Sequence, residues 1–154
     1  MKFKLNVLIT STSFQDTPGD HQNLLRKYDW NIDYARGPLK ENEIIKIIHK
    51  YDAVICGDDE YTKKVLNIGS SGKLKFISKY GVGLDKIDLD ASSKFNISVI
   101  NCPSINQRSV AEHTLALLLT FIKNIHLQYN SVKKYSWHRL ISNDLNIYKV
   151  GILG

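Results

Sequence analysis

A chain of 154 residues with 43% hydrophobic and 23% charged content is long enough for one domain and part of another, and apolar enough to bury a core. Its net charge of +6 comes from lysines spread along the whole sequence, without a basic block or interleaved aromatics, so nucleic-acid binding is not expected. No run of about 18 uncharged apolar residues occurs and no small-residue cleavage site follows the N-terminal apolar stretch, so neither a membrane span nor a secretory signal is supported and a cytoplasmic location is expected.

In chain order, short runs rich in Val and Ile predict strands at Leu5–Thr10, Trp30–Ala35, Asp52–Cys56, Leu74–Ser78 and Ile97–Asn101. Between them, "DHQNLLRKY", "ENEIIKIIHK", "EYTKKVLNI" and "DLDASSKF" repeat apolar positions at three and four, the spacing of helices. Strict alternation of strand and helix implies right-handed crossovers, hence an α/β fold with a doubly wound parallel sheet covered on both faces. "TPGD" and "RGP" read as turns.

The pattern changes after Pro103. Ser109–Tyr129 is predicted as one long helix, opened by Ser109 and Glu112 at capping-box spacing. Its middle, "LALLLTFI", is apolar on almost every face and is expected to bury two sides, one on its own domain and one on another domain or subunit. "YKVGILG", Tyr148–Gly154, reads as the start of a further buried strand.

In an open parallel sheet, ligands collect at the carboxyl ends of the strands. "CGDDEYT" follows the third predicted strand, "KYGVGLD" the fourth and "NCPSINQRS" the fifth. Gly81 and Gly83 lack a Cβ, so the backbone between them can turn tightly and bring the N–H groups of Val82 and Gly83 against an anion such as a carboxylate. A dinucleotide fingerprint needs a third glycine where Lys86 stands, so this loop does not fit a pyrophosphate. On spacing alone a plain tight turn is the simpler reading, and the anion cradle stands beside it.

Other candidates have plainer accounts. His113 and His126 on the long helix read as packed or interfacial histidines rather than general bases. Cys102 has no histidine or carboxylate placed in sequence to activate it and reads as a buried small hydrophobe. The two cysteines, Cys56 and Cys102, fit neither a disulfide framework nor metal-ligand spacing and are expected to be reduced. Asp85 and Asp88 read as helix caps, and no metal constellation is visible.

The segments "YGVGLDKIDLDAS", "ISVINCPSINQRSVAEHTLALLL" and "YKVGILG" together resemble the NAD-dependent D-isomer-specific 2-hydroxyacid dehydrogenases, a family that includes phosphoglycerate dehydrogenase and formate dehydrogenase. The resemblance extends back through "AVICGDDEYTKKVL" to "VLIT". It implies a flavodoxin-like substrate-binding domain over residues 1–101 and, over 102–154, the start of an incomplete Rossmann NAD-binding domain with its first strand. It further implies that the backbone of Tyr80, Gly81, Val82 and Gly83 holds the carboxylate of a small 2-hydroxy or 2-oxo acid. Gly57 is implied in a second substrate-facing loop, Asn106 near the reacting carbon and nicotinamide, and Ser109 and Gly154 on the cofactor side. The acidic "GDDE" at Gly57–Glu60 stands where some members carry arginine for a phosphate, so a phosphorylated acid is expected to meet unfavourable charge there.

The parent protein is accordingly expected to move a hydride between NAD and C2 of the acid, as a homodimer through helix 110–129. The resemblance places the acid/base histidine, its carboxylate partner and a substrate arginine beyond residue 154, so these 154 residues alone are expected neither to catalyse nor to bind NAD. The alternative is a non-enzymatic flavodoxin-like module that binds an acid or a partner.

Overall fold

The computed structural model describes residues 4–153. They divide into two compact units, with the boundary between Ile105 and Asn106.

The first unit carries five strands: β1 (Asn6–Ile9), β2 (Asn31–Tyr34), β3 (Ala53–Cys56), β4 (Phe76–Lys79) and β5 (Ser98–Ile100). They form one sheet in the order β2-β1-β3-β4-β5, and every pair is parallel. This is the flavodoxin-like order, with its topological switch point between β1 and β3. All five expected strands are present, each trimmed by a residue or two, and the fourth slides forward to include Lys79.

Alternation along β1 divides the core. Leu8 points to one face, where it meets Val54, Cys56 and Ile77 from the sheet together with Ile44, Ile48, Val65, Leu66, Leu74 and Ala91 from the crossovers. Val7 and Ile9 point to the other face and pack with Phe14.

The helices of this unit are short, and three of them start on side-chain caps. Ser11 accepts from the Phe14 N–H to open α1 (Thr12–Asp16), Thr62 from Val65 to open α4 (Lys63–Ser71), and Asp88 from Ala91 to open α5 (Leu89–Lys94). Asp88 is thus the cap expected of it, while Asp85 is exposed and caps nothing. α2 spans Asp20–Leu25. The expected helix over residues 41–50 is broken into α3 (Glu41–Ile44) and a 3-10 turn at Ile48–Lys50. Its isoleucines are stiff at χ1 and weak helix formers, yet Ile44 and Ile48 still reach the core together. α1 had no sequence signal because Thr, Ser and Phe carry little helix propensity; the Ser11 cap supplies its start.

The second unit departs from the sequence reading in three ways. The expected single helix is two, α6 (Gln107–Ile122) and α7 (Ile125–Lys133), because Asn124 takes the left-handed conformation at φ 54°. Asparagine tolerates that conformation, and its side-chain amide is tied to the Ile141 carbonyl, which holds the break. Second, Ser109 and Glu112 form no capping box: the helix begins two residues earlier, with Asn106 at the N-cap and Ser109 inside the first turn. Third, the expected buried strand at Tyr148–Gly154 is absent over 148–153, where the chain is irregular and exposed; Gly154 lies outside the described residues.

Within α6 only Ile122 is buried, so the apolar middle is not covered by this chain's own described residues. His113 and His126 are likewise exposed in the single chain, so neither is packed within it. No described helix is long and apolar enough to cross a membrane.

Candidate functional site

Four chain segments meet at the carboxyl ends of the strands, around the switch point. Thr10–Ser13 follow β1, Gly37 and Pro38 follow β2, Gly57 and Asp58 follow β3, and Lys79–Gly83 end β4 and continue from it. Together they line a cleft of about 240 Å³. Tyr80, Gly81, Val82, Gly83 and Gly57, singled out from the sequence, all lie on its wall.

The glycine segment is held from behind. The Tyr80 N–H donates to the Cys56 carbonyl at 2.9 Å, joining it to β3. The Cys102 N–H donates to the Gly81 carbonyl at 2.9 Å, and the Asn101 amide donates to the Val82 carbonyl at 2.7 Å, so the end of β5 braces the same loop. The carbonyls are thereby committed. The N–H groups of Val82 and Gly83 donate to no acceptor among the described residues, which is the arrangement an incoming anion requires. Gly81 has φ 156°, and an added Cβ there would lie 3.3 Å from Lys79 Cε, so this glycine is needed for both conformation and space. Gly83 does not share the positive φ; an added Cβ would instead meet Asp85 Oδ2 at 3.1 Å. The Tyr80 ring is set edge-on to Phe14 at 5.3 Å, which fixes it at the rim.

Lys79 is the residue that sequence reasoning missed. It is the last residue of β4 and is buried, and its ammonium donates to the Gly57 carbonyl at 2.6 Å and to Asp58 Oδ1 at 2.5 Å. A lysine closing an otherwise apolar parallel strand was the available signal, since such a position lies inside the fold and needs partners. Thr10–Ser13 could have been found from the switch-point rule applied to the first strand.

The acidic loop turns out to be divided. Asp58 reaches the cleft but pairs with Lys79. Asp59 is fully buried and accepts hydrogen bonds from Thr10 Oγ1, the Leu39 N–H and the Gly57 N–H. Glu60 points away, to the Lys40 ammonium and the Glu41 N–H, and the Lys40 hydrogen bond holds its carboxyl below the usual range. Asp58, the acid that lines the cleft, is thus paired with an ammonium, while Asp59 lies behind it on neutral donors.

Below the cleft, burial pushes the Cys56 thiol up to about 12, with the nearby Asp59 acting in the same direction, so this cysteine stays protonated. Burial also raises the Tyr61 phenol well above its ordinary value, and its hydroxyl has no partner among the described residues. Cys102 is half-buried, with its thiol 3.7 Å from the Lys79 carbonyl, rather than a fully buried hydrophobe.

Asn106 and Ser109 belong to the second unit. Asn106 is the N-cap of α6, yet its side chain makes no capping hydrogen bond; both residues are exposed. In the glycine loop Lys86 stands where a dinucleotide fingerprint would have a third glycine, and Tyr148–Leu153 are irregular.

The family model of the D-isomer specific 2-hydroxyacid dehydrogenase catalytic domain matches residues 7–146. The chain is 36% identical over 126 residues to the D-3-phosphoglycerate dehydrogenase of Synechocystis, covering 80% of this chain and 22% of that protein. It is 32% identical over 133 residues to the D-3-phosphoglycerate dehydrogenase of Archaeoglobus fulgidus, covering 84% and 25%. The chain thus spans about a quarter of the length of these relatives. The solved structure of Aquifex aeolicus D-lactate dehydrogenase, complexed with NAD and lactic acid, superposes with a TM-score of 0.72 at 30% identity, covering 92% of this chain and 42% of that one. A Thermus thermophilus protein superposes with a TM-score of 0.75 at 26% identity, covering 89% and 43%. With a family model matched over residues 7–146 and relatives at 32–36% identity, the chain belongs to the D-isomer specific 2-hydroxyacid dehydrogenase family.

Proposed function

We propose that this chain is the acid-binding portion of an NAD-dependent D-2-hydroxyacid dehydrogenase. Residues 1–101 form the substrate-binding domain and residues 102–154 begin the nucleotide-binding one. The carrying observation is the pair of unengaged N–H groups at Val82 and Gly83, in a cleft that also holds the buried Lys79 ammonium. Two such backbone donors on adjacent residues suit a carboxylate, and the ammonium on the same wall, though paired with Asp58, adds a cation toward which an anion can turn.

The ligand is a small 2-hydroxy or 2-oxo acid. With its carboxylate on the glycine loop, the acid is oriented so that C2 projects from the cleft. In the full-length protein the nicotinamide would supply or take up the hydride at C2. Asn106 and Ser109 are assigned to the substrate and cofactor sides of that centre, and Gly154 to the first glycine of the phosphate loop. The acid/base histidine, its carboxylate and the substrate arginine are assigned outside these 154 residues. The protein is further proposed to act in the cytoplasm as a dimer through the region 110–129. The names of the relatives, D-3-phosphoglycerate and D-lactate dehydrogenase, support an acid with a C2 oxygen.

The test is oxidation of NADH by the full-length protein in the presence of a panel that includes pyruvate, glyoxylate, hydroxypyruvate and 3-phosphohydroxypyruvate. Turnover of at least one is expected, with a raised KM for that acid in Gly83→Val. No turnover with any acid would overturn the reading.

A further inference from the structure

The cleft wall has one residue that ligand cannot touch but that three of its segments share. We propose that Asp59 is a positioning residue that sets the shape of the acid-binding cleft, a role that rests on the function proposed above.

Asp59 is fully buried. Its Oδ2 accepts from Thr10 Oγ1 at 2.5 Å and from the Gly57 N–H at 3.3 Å, and its Oδ1 accepts from the Leu39 N–H at 2.7 Å. These donors follow β1, β3 and β2 respectively, so one carboxylate joins three of the four segments around the cleft. The joint is close-packed. The Gly37 N–H donates to the Thr10 carbonyl at 3.0 Å, and a Cβ added to Gly37 would lie 2.6 Å from Asp59 Oδ1 and 2.7 Å from that carbonyl.

The fourth segment, the glycine loop, is braced independently by Asn101 and Cys102. Asp59 therefore acts on the part of the wall made by the other three segments, setting how closely Gly57, the Thr10 turn and the Gly37 turn stand to one another. Asparagine at this position keeps one acceptor oxygen and turns an NH2 toward the donors on the other side. The Thr10 hydroxyl can turn to accept from that NH2, but the Leu39 and Gly57 N–H groups can only donate, so in either orientation one of these two segments loses its acceptor.

The experiment uses the full-length protein, with Asp59→Asn and, as a second variant of nearly unchanged shape, Thr10→Val. Hydrogen exchange is followed at residues 10–13, 37–39 and 57–58, and steady-state kinetics are measured with the acid that wild type turns over. In both variants exchange in these segments is expected to rise about ten-fold or more while α4 keeps its protection. KM for the acid is expected to rise about ten-fold with kcat and the KM for NADH within about two-fold, the signature of lost ground-state positioning. A merely structural role would reduce the folded, active fraction and so kcat, without moving KM. Unchanged exchange, or loosened segments with an unchanged KM, would overturn the proposal. A wild-type protein without activity on any acid would sink the functional reading, and the exchange arm alone would then decide whether Asp59 joins the segments.

Discussion

The ammonium of Lys79 sits 2.5 Å from the Asp58 carboxylate, but the lysine side chain is 7% exposed and the aspartate side chain 81%. The pair is therefore asymmetric: Asp58 can turn to water at little cost, and Lys79 cannot. Asp58→Asn keeps an acceptor oxygen for the ammonium but leaves its charge uncompensated on a side chain that is 7% exposed, so a cost of about 1–3 kcal/mol is expected. Lys79→Met would leave the Gly57 carbonyl without its donor and is expected to cost about 1–2 kcal/mol. On the acid the two should act in opposite senses. Asp58→Asn removes a carboxylate that competes for the ammonium and lowers KM; Lys79→Met raises it. Denaturant titration and kinetics of the two full-length variants check this, and parallel changes in KM would show that Lys79 does not face the ligand.

The two glycines of the binding loop should separate stability from affinity. Gly81→Ala forces a side chain onto a φ of 156° beside Lys79 and is expected to destabilise by about 1–3 kcal/mol. Gly83→Val meets only the exposed Asp85 carboxylate, which can move, so the fold should tolerate it. Its β-branched side chain would still stand where the carboxylate approaches the Gly83 amide. A thermal-melting difference between the variants, with the KM effect in Gly83→Val, is the expected outcome.

Asn106 offers a clean functional test because its side chain makes no capping bond. Asn106→Ala should leave stability within about 0.5 kcal/mol, in contrast to the roughly 1 kcal/mol lost when a bonded cap is removed. If its amide orients the reacting acid or the carboxamide, kcat/KM falls by an amount equivalent to about 1–3 kcal/mol. Wild-type kinetics in this variant would remove Asn106 from the site.

What the sequence disclosed depended on the range of the interactions involved. The strands were legible because each carries a local run such as "NVLI" or "AVIC" whose burial needs no partner to be inferred. The glycine loop was legible for the same local reason. Lys79 and the Thr10 turn were not assigned roles, and Asp59 was read only as part of an acidic loop, because what defines them is contact across chain separations that no short motif encodes: Asp59 meets Leu39 only after one crossover has closed, and Thr10 only after two. The division of α6 from α7 was hidden too. An apolar pattern ran through Asn124, and only its tie to Ile141 fixes the left-handed turn.

Alkaline pH should destabilise the first unit through Cys56. Its thiol is raised from 9.0 to about 12 in the fold, so the unfolded chain loses the proton first. The stabilisation is complete below pH 9 and is lost as pH rises from there toward about 12, at up to about 1.4 kcal/mol per pH unit for one group. The Tyr61 phenol, also raised, acts in the same sense at higher pH. Denaturation midpoints across this range should fall less steeply in Cys56→Ala than in wild type, although the variant starts lower because of the cavity it leaves. A native thiol titration should modify Cys102 and spare Cys56; equal reactivity would contradict the burial assigned to them.

The apolar surface of α6 leads to the last prediction. Leu115, Leu117 and Phe121 are 56%, 58% and 76% exposed, and Leu119 and Val110 add to the same helix. Burial of such side chains is worth about 25 cal/mol per Å², and contiguous patches beyond a few hundred Å² are uncommon on monomers. The 154-residue polypeptide is therefore expected to self-associate, with a dimer through the region 110–129 as the proposed form. Because Asn124 ends α6, the contact should centre on the part before Ile122 rather than run along one continuous helix. Leu117→Glu with Phe121→Glu places two charges on exposed positions and should leave the fold intact while separating the copies. Light scattering at tens of micromolar decides between them: an associated wild type and a monomeric double variant are expected. A monomeric wild type would mean that the exposed leucines of α6 do not drive association.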